Sequence, residues 1–177
     1  VWAEVCNSIE RTANQAGPTI AAIDGKVFVF TVNDNRSPST RRRLIDVATY
    51  DGSSWTTSGD IPGRSITRGY WPIARTKNGT MYLFILNPVS PNSFSIYTYK
   101  NGTWSTFIEE YAYPSSEPGI EPATYHSFSL YCPDMVIDDD GNIYLGICYD
   151  YSPQVLKIDA NTKQINRIGS AIPSPGN

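Results

Sequence analysis

The sequence has one histidine, three cysteines and only 18% charged residues among 177, and no apolar run approaches the length of a membrane-spanning helix. A helical span needs roughly 20 consecutive apolar residues, so no membrane partner is expected, and no signal-peptide pattern opens the chain. One histidine and three scattered cysteines cannot furnish the usual zinc-ligand spacing. A Gly-x-Ser-x-Gly elbow and a phosphate-binding loop are both missing. No cofactor and no metal are therefore expected. The net charge of −3 lacks the clustered basic excess of nucleic-acid binders. The single dense basic run, Arg41 to Arg43, reads as a solvated loop, so nucleic acid is not an expected partner.

What is present points to pleated structure. The chain carries 12 Tyr, 6 Phe and 4 Trp beside 13 Gly and 13 Pro, a mixture that favours strands and tight turns. A motif recurs three times: a proline, an apolar stretch, a turn glycine and a second apolar stretch. The copies are Pro18-TIAAIDGKVFVF, Pro72-IARTKNGTMYLFI and Pro133-DMVIDDDGNIYLGI, turning at Gly25, Gly79 and Gly141. A second hairpin follows each, in LIDVATYDGSSWTTSG, FSIYTYKNGTWSTF and VLKIDANTKQINRIG. Each repeat thus predicts four antiparallel strands.

Repeats of this size, once loop insertions are allowed, match β-propeller blades. A sandwich or jelly roll would use similar turns. The unbroken order of strand, short turn, strand, loop, strand, short turn and strand favours the propeller. The expected fold is all-β and propeller-like, with about three four-stranded antiparallel blades over residues 17–177. Residues 1–16 are expected to be an arm or the outer strand of another blade. Three blades close poorly, so the chain is expected to belong to a larger propeller or to complete one by self-assembly as a homo-oligomer. Its start at Val1 and its end at Asn177 look processed, or cut from something longer.

Through Tyr50-Asp51-Gly52-Ser53-Ser54-Trp55 and Tyr99-Lys100-Asn101-Gly102-Thr103-Trp104, the chain resembles the kelch and bacterial-neuraminidase-repeat class of propellers over about residues 17 to 170. The wider spacing of the neuraminidase Asp-box is missing, so the resemblance implies the architecture and not sialidase activity.

Turns within hairpins are short, whereas residues 31–43, 60–71, 87–93 and 108–132 read as long connections gathered on the opposite edge, where binding usually resides. That edge is expected to carry a ligand site of Arg68, Tyr70, Trp71, Tyr111, Tyr113, Tyr125, His126, Tyr149 and Tyr151. Aromatic rings stack on sugars, and Arg hydrogen-bonds hydroxyls and acids. The same residue types also suit a protein interface. The leading expectation is a noncatalytic extracellular module that recognises glycan or protein. One alternative is a propeller-type polysaccharide lyase or glycosidase, in which Tyr125, His126 and Arg68 resemble the set some propeller lyases use. The other is a structural self-assembling protein.

Asp138-Asp139-Asp140-Gly141-Asn142 lacks the ligand spacing of a calcium loop and reads as a hairpin turn. With Asp138 opposite Asn142, Cys132 falls opposite Cys148, so a cross-strand disulfide is possible, with buried thiols as the alternative. Cys6 is then left over. Sequons at Asn35, Asn78 and Asn101 permit secretion, although two of them are also Asn-Gly turns.

Overall fold

The computed structural model describes residues 15–33, 44–58, 61, 70–87, 93–112, 134–149 and 152–169, and their regular structure is entirely β. Three four-stranded antiparallel sheets follow one another along the chain. The first contains β1 (Gln15–Ile23), β2 (Lys26–Asn33), β3 (Leu44–Tyr50) and β4 (Trp55–Ser58). The middle sheet contains β5 (Tyr70–Lys77), β6 (Thr80–Asn87), β7 (Ser93–Lys100) and β8 (Thr103–Ala112). The third contains β9 (Asp134–Ile137), β10 (Ile143–Tyr149), β11 (Ser152–Ile158) and β12 (Ile165–Arg167). Within each sheet, spatial order follows chain order, as the three repeats predict.

Turn chemistry fixes the register. Asp24-Gly25, Asn78-Gly79 and Asn101-Gly102 all have positive φ, and each pair joins directly paired residues: Ile23↔Lys26, Lys77↔Thr80 and Lys100↔Thr103. Two left-handed residues in a two-residue loop match the right-handed twist of the flanking strands, and Asn, Asp and Gly tolerate that region best. Pro18 and Pro72 sit inside register breaks, between Ala16 and Thr19 and between Tyr70 and Ile73. A proline has no N–H for the ladder, so the strand bulges around it.

Alternation along the strands builds two cores. Between the first and middle sheets, Phe28, Phe30, Ile45 and Val47 meet Met81, Leu83 and Ile85. Between the middle and third sheets, Ile73, Phe84 and Ile96 meet Met135, Ile143 and Leu145. Among the described sheets, the middle one therefore packs through both faces, and each of the others packs against it through one. Strand β5 lies beside β1 on one side and β9 on the other, so these three first strands form the inner wall of the stack.

Several strands run farther than the sequence reading. Thr31 to Asn33 belong to β2, Tyr70 and Trp71 to β5, and Ile108 to Ala112 to β8. Val32 and Ile108 within these extensions are themselves core residues, and ladder hydrogen bonds satisfy the backbone of the residues around them. In β8 the extension carries a register irregularity and a positive φ at Glu110, whose N–H donates to Ser95 Oγ at 3.2 Å.

Candidate functional site

The polar groups of the first strands begin with the contacts that align them. The Ala74 N–H donates to Thr19 Oγ1 at 3.1 Å, and the Thr76 hydroxyl donates to the Ala22 carbonyl at 3.1 Å, tying β5 to β1. On the other side, Arg75 Nη2 meets Asp134 Oδ1 at 2.6 Å, and Lys77 Nζ meets Asp139 Oδ1 at 2.6 Å. Asn78 Nδ2 adds a bond to the Asp139 carbonyl at 3.0 Å. Arg75 is further fixed by Nη1 donating to its neighbour's carbonyl, that of Ala74, at 2.9 Å, and Asp134 Oδ1 also accepts the Met135 N–H at 2.8 Å. The pair stays open to solvent, with side chains 44% and 69% exposed. Together they place a held carboxylate and a held guanidinium on the inner wall, a combination that can bind hydroxyls and, through the carboxylate, accept or donate a proton.

Three of the hairpin turns are organised by aspartates. Asp51 Oδ1 accepts the Ser54 and Ser53 N–H groups, each at 2.9 Å, and those bonds hold its pKa down to about 2. Asp159 Oδ1 accepts from the Thr162 and Asn161 N–H groups, which likewise lower its pKa. Asp138 is lowered chiefly by the Asn142 side-chain amide, which donates to Oδ2 at 2.9 Å. Asn142 is buried and also accepts the Ala160 N–H at 3.0 Å, locking the two hairpins of the third sheet together. These bonds occupy the carboxylates in building turns, as the sequence reading of 138–142 as a hairpin expects. Among the described residues, no group of three or more His, Cys, Asp or Glu side chains is arranged to hold a metal ion.

Of the residues expected to bind ligand, Tyr70 and Trp71 open β5, Tyr111 is the penultimate residue of β8 and Tyr149 ends β10. The Tyr111 ring packs on Phe94 with centroids 5.2 Å apart. Arg68, Tyr113, Tyr125, His126 and Tyr151 lie outside the described residues. Cys148 lies on β10, and Cys132 is outside the described residues. The paired positions of β9 and β10, from Ile137↔Ile143 to Asp134↔Gly146, follow the register expected for a 132–148 pair. Sequence reasoning missed Arg75 and Asp134. Their only local signal is a charge in the first strand of each of two adjacent repeats.

No protein-family model and no curated protein matches this sequence. Solved structures do. A family 117 glycoside hydrolase from the marine bacterium Zobellia galactanivorans superimposes with a TM-score of 0.56 at 15% identity, covering 87% of this chain and 55% of that one. The GH43 endo-arabinanase of Bacillus licheniformis gives 0.54 at 17% identity, with coverage of 91% and 56%. An α-L-arabinofuranosidase from Clostridium thermocellum ATCC 27405 gives 0.56 at 19% identity, with coverage of 88% and 54%. The fold is that of β-propeller blades. The chain spans little more than half the length of these structures. The resemblance to the kelch and neuraminidase-repeat class thus holds at the level of the propeller, and the similarities run to glycoside hydrolases instead. They also correct the leading functional expectation: the similar structures are carbohydrate-cleaving enzymes, which goes against a noncatalytic recognition module and with the glycosidase alternative.

Proposed function

We propose that this chain forms part of a propeller glycoside hydrolase acting on a polysaccharide or oligosaccharide. The observation that carries the reading is the exposed Arg75–Asp134 pair on the inner strands, set in a fold shared with glycoside hydrolases. Hydrolysis of a glycosidic bond uses two carboxyl groups, one as acid and one as base or nucleophile. Asp134 supplies one of them, and Arg75 positions it. The second is assigned to the segment 113–133, which holds Glu117 and Glu121 together with Tyr125 and His126 and runs directly into Asp134. Arg68, Tyr70 and Trp71 enter β5 in the same way, so both segments lead to the starts of inner strands. Tyr and Trp rings there would stack on sugar faces. A glycan is the partner this reading requires, and secretion is the matching location.

The test is reducing-sugar release from a panel of arabinan, galactan and xylan, with oligosaccharide affinity measured in parallel. Asp134→Asn is expected to cut turnover by at least about 100-fold, the order of a general acid–base contribution, with an unchanged circular dichroism spectrum. His126→Ala is expected to weaken affinity. Neither turnover nor affinity for any member of the panel would overturn the reading. A Cys132–Cys148 bridge belongs to the same proposal. Of the three cysteines, the unfolded chain should then show a single titratable thiol without reductant and all of them with it.

A further inference from the structure

A chain of hydrogen bonds runs from the first sheet to the carboxylate of the proposed site. Strand β5 is the edge of its sheet, with β6 as its ladder partner, so alternate backbone groups along it must find partners off the ladder. Ala74 shows where they go. Its N–H donates to Thr19 Oγ1 at 3.1 Å, and its carbonyl accepts from Arg75 Nη1 at 2.9 Å. Ala74 is 1% exposed, so the threonine oxygen takes the place that water would fill at an open edge.

Arg75 passes the constraint on. Its Nη2 donates to Asp134 Oδ1 at 2.6 Å, and the same oxygen accepts the Met135 N–H at 2.8 Å. Both donors fall on one oxygen, and among the described residues Oδ2 has no partner. A carboxylate gripped through one oxygen presents the other in a fixed direction, as proton transfer to or from a reacting group requires. Thr19, Ile73 and Asp134 each follow the repeated proline, at Pro18, Pro72 and Pro133. One position of the repeat therefore serves three purposes: Ile73 fills the core, Asp134 offers a carboxylate, and Thr19 offers a hydroxyl to the neighbouring sheet.

We infer that Thr19 is a positioning residue for Asp134: its hydroxyl oxygen fixes Ala74, the Ala74 carbonyl fixes the Arg75 guanidinium, and Arg75 turns Asp134 so that Oδ2 handles the proton. The chemistry rests on the hydrolase reading, whereas the geometry rests on the hydrogen bonds alone. Thr76 provides the contrast. Its hydroxyl donates to the Ala22 carbonyl at 3.1 Å, tying the same two strands without a bond to Ala74 or to the Arg75 guanidinium.

The experiment uses the 177-residue chain with Thr19→Val, Thr19→Ser and Thr76→Val. Modification by phenylglyoxal, mapped peptide by peptide, reads the Arg75 guanidinium directly. Thr19→Val removes the acceptor and should raise the Arg75 rate several-fold. Thr19→Ser keeps the hydroxyl and should match wild type, and Thr76→Val should stay close to it. Thr19→Ala, which leaves room for water at the Ala74 N–H, stands in if Thr19→Val does not fold, and should give a smaller rise. On a glycan that the wild type cleaves, Thr19→Val should lower kcat by roughly 10-fold, short of the roughly 100-fold that a misplacement of about 1 Å costs. KM should not change, and Thr19→Ser should restore kcat. An Arg75 rate unchanged in the folded Val or Ala variant, an equal rise in Thr76→Val, or a faster Arg75 with kcat intact would each overturn the inference. If no glycan is cleaved, the hydrolase reading fails by itself, and the Arg75 rates, which need no sugar, still support or refute the relay from Thr19.

Discussion

The two interfaces inside the stack are built differently. Between the first and middle sheets the contact is aromatic: Phe28, Phe30, Tyr99 and Trp104 form a ring cluster, and a threonine hydroxyl meets a backbone group in each direction. Between the middle and third sheets the centre is mostly aliphatic, and the margins are charged. Arg75–Asp134 and Lys77–Asp139 hold the inner margin, and Lys163 sits 3.4 Å from the centroid of the Phe107 ring near the outer one. The first interface should therefore respond to lost volume and ignore salt. The second should respond to both.

The largest effect is expected from Phe30→Ala, which removes a fully buried ring from the aromatic cluster. Loss of such a side chain costs about 3–5 kcal/mol, read by urea unfolding and unchanged by added salt. Leu145→Ala is the matching cut in the second interface, where Leu145 is also fully buried. It should cost about 2–5 kcal/mol. If the two variants showed equal salt dependence, the comparison would fail. Asn78→Gly keeps the left-handed turn but deletes the amide bond to the Asp139 carbonyl. A cost of about 0.5–1.5 kcal/mol follows, whereas Asn101→Gly, at a turn of the same geometry, should cost less.

Smaller still is Arg75→Met. An exposed ion pair contributes about 0.2–1 kcal/mol, and at 1 M salt, where the screening length falls to about 3 Å, wild type and variant should converge. Acid supplies the last distinction. Asp51, in the first sheet, is held at a pKa of about 2, and Asp138 and Asp159, in the third, are also lowered. A carboxylate whose folded pKa is depressed stabilises fully above its unfolded value and loses that contribution as pH falls through the folded one. The Asp51 turn should therefore weaken as pH falls from about 4 to about 2, and the Asp138 and Asp159 turns as pH falls below the ordinary carboxylate range, with Asp51→Ala flattening the acid limb of a thermal-melting profile.

Much of the architecture could be read from the chain because it is local. The positive-φ pairs at Asp24-Gly25, Asn78-Gly79 and Asn101-Gly102 have a chemical signature in two letters, and alternation then assigns each strand's buried face. The β9–β10 register followed from the 138–142 turn alone. Strand ends were less legible, as at Tyr70, Trp71 and Tyr111, because backbone pairing outlasts apolar patterning. The Arg75–Asp134 pair was illegible for a different reason. Its partners are 59 residues apart, and their meeting depends on the stagger of one sheet against the next, which no single segment encodes. The preference for a noncatalytic module failed similarly, since a loop inventory of Tyr, Trp and Arg is common to sugar binders and sugar-cleaving enzymes.

The proline bulges at the starts of β1 and β5 carry a consequence for how such a chain can change. Because the ladder is already broken at Pro18 and Pro72, residues added or removed upstream are not transmitted into the pairing downstream. The turn glycines of the first two repeats stand 54 residues apart, and the hairpin downstream of each bulge closes cleanly on its two-residue turn. The bulge behaves as a splice point, downstream of which a blade keeps its register while the segment feeding it is free to grow, shrink or acquire new side chains over evolutionary time.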